Sequence, residues 1–230
     1  MSTDPMSPDP TSPDPMSPDP MGEEDAIRHT LVAAAHAAFA RGLTHGSTGN
    51  ISVRVGDRVL MTPTGVSLGT VAPDHLSVVD LSGRHLGGPP PTKESFLHLA
   101  MLRARPGAGA IVHTHSTHAA AVSCLADLDP ADALPPYTAY YAMRVGTMPL
   151  IPYFPPGDRG LGDAAEQLAR DHRALLLANH GPIVAAAGIG AAMDAAEEIE
   201  ENARLFFLLA GHRTRPLSPE QVAALAPIGH

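Results

Sequence analysis

Residues 51–62 read Ile-Ser-Val-Arg-Val-Gly-Asp-Arg-Val-Leu-Met-Thr. Two runs that alternate apolar and polar side chains flank Gly56-Asp57, a two-residue hairpin signal. Strands closed by so short a turn must run antiparallel, because a parallel crossover needs a dozen residues or more. A second tight join lies downstream. Residues 174–181, ALLLANHG, read as a strand stopped by Gly181, and residues 182–188, PIVAAAG, begin another at once. A short buried strand fits residues 109–115, GAIVHTH, and a proline-limited extended run fits residues 147–154, TMPLIPYF.

Between these strands the apolar period lengthens to that of a helix. It predicts helices over residues 23–42, 92–105, 117–125, 162–173 and 191–209. Ile27, Leu31, Ala35 and Phe39 form one stripe on the first, with Glu23, Glu24 and Asp25 at its positive end and Gly42 as its C-cap. Thr92 is expected to cap the second. Glu200 and Arg204 are spaced for an i,i+4 ion pair on the last. The fold class is therefore α/β, with a central mixed or mostly antiparallel sheet covered by helices rather than a doubly wound parallel sheet.

Residues 1–21 open with a five-residue unit ending in Asp-Pro, repeated four times. Proline removes backbone donors and the unit carries no apolar period, so this stretch is expected to be a disordered tail. Residues 22–230 are expected to form one domain. The tail lacks the basic start and apolar core of a signal peptide, which places the protein in the cytoplasm. No apolar run is long enough to cross a bilayer. The net charge of −9, with aromatics at only 4% and no Trp, argues against nucleic acid and anionic membrane as partners. The single cysteine, Cys124, cannot close an internal disulfide. Thirteen histidines are the unusual count, and they direct attention to a metal site.

His113-Thr114-His115 sits on the predicted strand 109–115, where residues two apart share a face. Two neutral imidazoles on one face suit a divalent ion such as zinc, although a polar strand end with exposed histidines reads equally well for an isolated pair. His180, at the rim of the next apolar strand, is the best third ligand, since a catalytic zinc takes three protein ligands and keeps one position open. His118 falls in the following turn and is the weaker alternative. Glu94 lies at the start of the 92–105 helix, where the macrodipole favours a carboxylate, and is the candidate acid/base. His98, one turn on, is read as structural, with orientation of Glu94 as its use. Three short pieces suit a phosphate: the loop 46–50 (Gly-Ser-Thr-Gly-Asn), the corner 62–65 (Thr-Pro-Thr-Gly) and Thr92-Lys93 at a helix start.

In order along the chain, GSTGNISVR (46–54), LMTPTG (60–65), PTKE (91–94), IVHTHS (111–116) and LLANHG (176–181) together resemble the class II aldolase family, the group of L-fuculose-phosphate aldolase and L-ribulose-phosphate 4-epimerase. The resemblance spans about residues 23–212. It implies a three-layer fold, a zinc site (or another divalent ion such as manganese or cobalt) and a homotetramer with active sites at subunit boundaries. Residue by residue, the family's metal histidines fall on His113, His115 and His180, its catalytic glutamate on Glu94, and its phosphate contacts on Asn50, Thr64, Gly65, Thr92 and Lys93. Where the sugar-phosphate aldolases carry Ser-Ser-Glu, this chain has Thr92-Lys93-Glu94. A gapless reading puts Thr138 at the place of the tyrosine that serves the aldehyde half in fuculose-phosphate aldolase, with Tyr137 one residue away. The stretches 123–129, 135–158 and 176–185 are closer to the 3-oxo-tetronate 4-phosphate decarboxylase branch. That resemblance implies loss of CO₂ from a small sugar-acid phosphate to give dihydroxyacetone phosphate, with Glu94 delivering a proton to C2. The alternatives are an aldolase or 4-epimerase acting on a ketose phosphate, and a non-catalytic scaffold on the same fold.

Overall fold

The computed structural model describes residues 20–226 and 228. The hairpin expected around Gly56-Asp57 is present: β1 (Asn50–Val55) and β2 (Arg58–Met61) pair antiparallel around a turn in which Gly56 has a φ of 61°. Alternation buries Val59 and Met61 on one face and Ile51 and Leu60 on the other.

Six further strands complete one sheet: β3 (Ser77–Asp80), β4 (His85–Gly87), β5 (Ala110–His113), β6 (Leu150–Ile151), β7 (Ala174–Leu177) and β8 (Gly181–Ala186). Their order is β4-β3-β2-β1-β5-β8-β7-β6. Every neighbouring pair is antiparallel except β6 with β7. The central strands β5, β7 and β8 are buried along their whole length, as near-continuous apolar runs require when both faces are covered.

One face carries α1 (Pro20–Ala40), α3 (Thr117–Val122), α4 (Ala139–Arg144) and α6 (Ile189–Leu208). The other carries α2 (Ser95–Ala104) packed on α5 (Gly160–Leu168). A short α7 (Pro219–Ala223) lies against α4 and begins with a capping box at Ser218 and Gln221. The result is three layers with one apolar core above the sheet and another below it.

Several boundaries differ from the expectation. Helix α1 begins at Pro20, so the expected tail of residues 1–21 overlaps it by two residues and otherwise lies outside the described residues. Helix α2 starts at Ser95, not Thr92, because the Thr92 carbonyl closes a turn onto the Ser95 N–H before the helix begins. Glu94 is thereby the N-cap residue rather than part of the first turn. Strand β5 stops at His113, leaving His115 beyond its end. Helix α5 ends at Leu168, where Arg105 donates to the Ala169 carbonyl, so residues 169–173 are a turn. The pair expected within α6 does not form: Arg204 binds Glu201 at 2.7 Å, and Glu200 instead receives the His118 and Ala119 backbone N–H groups at the start of α3. Two strands and two helices, β3, β4, α4 and α7, had no predicted counterpart.

Candidate metal centre and anion cleft

The middle of the sheet brings the chemistry together at one edge. Asn50 opens β1 and pairs with His113 at the end of β5, while His113 faces Ile183 of β8. The turn between β7 and β8 carries His180, and Asn179 beside it is the non-glycine residue with positive φ (56°) among those described. Asparagine tolerates that left-handed conformation better than most side chains, which lets a three-residue turn aim His180 back over the strand ends.

The ring Nε2 atoms of His113, His115 and His180 lie 3.1–3.2 Å from one another. The Pro182 carbonyl accepts a hydrogen bond from His113 Nδ1 at 2.9 Å, which leaves Nε2 bare and aimed at the other two rings. Three lone pairs converging so closely repel unless a cation stands between them. Nitrogens at about 2.0 Å from a tetrahedral zinc are separated by about 3.3 Å, so the donor set fits a divalent ion. Glu94 completes the group, with Oε1 3.2 Å from His180 and Oε2 3.5 Å from His113.

Burial first, and then the neighbouring His113 and His180, holds the His115 pKa down at about 3. Burial likewise lowers that of His113. Both rings are therefore neutral near pH 7, the form that binds a metal. Burial works the other way on Glu94, but the electrostatic influence of His113, the His180 hydrogen bond and the Asn50 amide outweigh it and keep the carboxyl well below the usual range. His118, the weaker ligand candidate, is turned away and bonds Glu200 at 2.7 Å.

Beside the histidines opens a cleft of about 430 Å³. The loop ending at Gly49-Asn50, the corner Pro63–Gly65 and the segment Thr92–Glu94 all line it, so Asn50, Thr64, Gly65, Thr92 and Lys93 share one space with Glu94 and His115. An isolated bridge between Pro63 and Pro91 and a bond from the Thr64 N–H to the Pro90 carbonyl (3.1 Å) tie two of these pieces together. Among the described residues Lys93 is exposed and has no hydrogen-bond or ion-pair partner, which leaves its charge for a ligand.

Asn50 is more committed than a simple phosphate contact. Its Nδ2 donates to Glu94 Oε2 at 2.7 Å, its Oδ1 meets His98 Nε2, and only the second amide hydrogen remains for the cleft. His98 is wholly buried and also meets Ser52 Oγ at 2.8 Å. Burial and the nearby His113 pull its pKa down to about 3. Ser52 was not anticipated, nor were Pro156 and Gly157, which form the far wall of the cleft. For Ser52 a signal existed, because Asn50 and Ser52 share a strand face. For Pro156 and Gly157 none existed, because only the fold returns that loop to the site. None of Tyr137, Tyr140 and Tyr141 lines the cleft. Thr138 caps α4 by accepting from the Tyr141 N–H.

The sheet order and the converging His113, His115, His180 and Glu94 define a three-layer α/β scaffold with a candidate metal centre. The class II aldolase and adducin N-terminal domain family matches residues 29–207, and the chain belongs to that family. Within it, a Haemophilus influenzae protein named 3-oxo-tetronate 4-phosphate decarboxylase is 46% identical over 201 residues, covering 87% of this chain and 96% of that protein. The crystal structure of YgbL from Klebsiella pneumoniae superposes with a TM-score of 0.86 at 41% identity, covering 88% of this chain and 98% of that one. An Escherichia coli L-fuculose phosphate aldolase is more distant, at 34% identity over 80% of this chain and 85% of that protein.

Proposed function

We propose that residues 22–230 form a single catalytic domain that decarboxylates a 3-oxo-tetronate 4-phosphate to dihydroxyacetone phosphate and CO₂. The observation that carries this reading is the 46% identity, over nearly the whole of both chains, to a relative named for that reaction. The site supports it. The substrate is a β-keto acid with a phosphate at its far end, and the structure sets an acid/base and a histidine group beside a cleft with an unpartnered lysine.

His113, His115 and His180 would hold a divalent ion, which we take to be zinc, and when bound it would supply Lewis-acid stabilisation of the negative charge that develops on the substrate oxygens. The remaining work falls to the chain. Thr64, Gly65, Thr92, Lys93 and the free amide hydrogen of Asn50 hold the phosphate and set the register of the carbon chain. The C1–C2 bond breaks, CO₂ leaves, and the electron pair becomes the C2–C3 double bond of an enediolate. Glu94 stands at the edge of the cleft to give C2 its proton. The incoming anionic substrate raises the affinity of Glu94 for a proton, which solvent replaces once per turnover.

No aldehyde is released in this reaction, so no acid is needed for one, in keeping with Thr138 acting as a helix cap. The assembled histidines and Glu94 count against a non-catalytic scaffold. We further place the enzyme in the cytoplasm as a homotetramer. That assembly is taken from the family resemblance, whereas for the described residues no helix is long and apolar enough to cross a membrane. The test is to incubate the zinc-loaded protein with a panel of 3-oxo-acid phosphates and assay CO₂ and dihydroxyacetone phosphate. Retro-aldol cleavage of a ketose phosphate without CO₂ release would replace this reading by the aldolase one.

A further inference from the structure

Four side chains beneath the cleft interlock in two pairs. Asn50 and Ser52 are two apart on β1, and Glu94 and His98 are one helical turn apart. The chemistry of each atom fixes the direction of every bond in the chain. A carboxylate only accepts, so the Asn50 atom that meets Glu94 Oε2 is the amide nitrogen. The Asn50 oxygen is thereby turned towards His98 and also only accepts, so His98 Nε2 carries a hydrogen. On a neutral, wholly buried ring the other nitrogen is then bare, and Nδ1 accepts from the Ser52 hydroxyl at 2.8 Å. The donors run one way: Ser52 to His98, His98 to Asn50, Asn50 to Glu94.

We propose that Ser52 and His98 are positioning residues that lock the Asn50 amide, so that Glu94 is held through Oε2 and presents Oε1 to the substrate. Oε1 is the oxygen that faces His180, at 3.2 Å. Without the tether the carboxylate is free to rotate, or to collapse onto a cation among the histidines and stay there. The Asn50 oxygen also excludes the other imidazole tautomer, which would put two acceptors, His98 Nε2 and Asn50 Oδ1, face to face, and the Ser52 hydroxyl fills the bare Nδ1. The activity arm of this proposal rests on the decarboxylase reading; the tautomer arm rests on geometry alone.

The experiment compares His98→Leu, His98→Gln and Ser52→Ala as zinc-loaded full chains. A glutamine can place its amide nitrogen near the position of imidazole Nε2 and still donate to Asn50. His98→Leu is expected to lower kcat about 10- to 100-fold while KM and zinc content stay within about twofold, and His98→Gln to recover most of that loss. Equal loss in both variants, or a loss confined to KM or to zinc content, would overturn the proposal. Because a leucine at this buried site leaves Asn50 Oδ1 and the Ser52 hydroxyl without their partner and so threatens folding, the second measurement uses the unaltered protein. Nitrogen-15 NMR of the His98 ring should find Nε2 protonated and Nδ1 bare, and Ser52→Ala should keep that tautomer while the Nδ1 resonance shifts with the loss of its hydrogen bond. A ring protonated on Nδ1 in the unaltered protein would overturn the lock. An unaltered protein that is inert on every 3-oxo-acid phosphate would sink the decarboxylase reading, and the tautomer result would still decide the relay.

Discussion

The histidine group and the anion cleft share Glu94, yet they are made from different kinds of chain. His113 ends a central strand and is wholly buried, and its ring is fixed by the Pro182 carbonyl of the neighbouring strand. The cleft is built from turns: a glycine-rich loop, a Pro-Thr-Gly corner and the segment before α2, with Gly65 and Lys93 exposed. Chemistry that must hold several donors within a few tenths of an ångström is anchored on the strand end at His113 and on the short segments beside it that carry His115 and His180. In the proposed reaction, recognition of the anionic substrate is left to backbone corners and a long flexible cation. The contrast teaches that the two halves should fail in different ways when damaged.

The largest effect is expected in the histidine half. His180→Ala should strip the metal and reduce turnover to background, whereas His118→Ala, whose ring is engaged with Glu200, should keep nearly full occupancy. Metal analysis of both variants after dialysis checks this, and equal loss would erase the distinction between ligand and bystander. Glu94→Gln comes next. It keeps the shape of the side chain and the metal but cannot relay a proton, so kcat should fall by about 10²–10⁴ with KM little changed. A change in KM alone would move Glu94 from the chemical half to the binding half.

Gly49 tests the seam between the halves. Its φ is 76°, and a Cβ there would stand 2.4 Å from Thr44 Cγ2 and 3.0 Å from the His113 carbonyl oxygen. Gly65 has a similar φ of 73° but open space around it. Gly65→Ala should therefore cost about 1–2 kcal/mol of left-handed strain. Gly49→Ala should add an overpacking penalty of about 1–3 kcal/mol and disturb the histidines as well. Urea unfolding of the two variants gives the difference, and equal costs would show that the seam is slack.

Lys93→Ala belongs to the cleft alone. It should raise KM about tenfold, roughly 1.4 kcal/mol, and leave kcat within about twofold. Steady-state kinetics on one substrate separates it from Glu94→Gln.

The effect on stability against pH is comparable to that of Lys93→Ala only over a single pH unit. Burial holds His98 at about 3 in the folded protein, against about 6.5 in an unfolded chain. Between those values the unfolded state binds more protons. The contribution is thus intact above about pH 6.5 and is lost as the pH falls towards 3, by about 1.4 kcal/mol per unit. His98→Gln should flatten the slope by that amount in urea melts at pH 6 and pH 5, and an unchanged slope would mean that the imidazole charges in place.

Much of the layout was legible in short-range patterns. The turn at Gly56-Asp57 set β1 against β2, and the break at Gly181 set β7 against β8, because a two- or three-residue connection admits only antiparallel neighbours. Strands β3 and β4 escaped notice because a four-residue and a three-residue run, the latter largely exposed, carry too little apolar period to stand out from a loop. The Glu200–Arg204 pairing failed for a tertiary reason. The N–H groups at the start of α3 have no partner within their own helix and compete for Glu200, while Glu201 lies within reach of Arg204.

By itself the sequence determined which side chains could do chemistry, since a His-X-His at a strand end, a rim histidine and a carboxylate at a helix start are local facts. It also determined that the hairpin strands run antiparallel, since turn length and strand alternation are local too. Only the tertiary structure decided that these pieces meet. His115 lies past the end of its strand, so strand alternation cannot bring it to His113. The convergence depends on the β5–β8 pairing and on the left-handed turn at Asn179, which returns His180 to within 3.2 Å of both rings. The Ser52–His98–Asn50–Glu94 relay was hidden for the same reason: its members pair across 44 to 48 residues of chain, and only burial between sheet and helix forces each donor to find its acceptor.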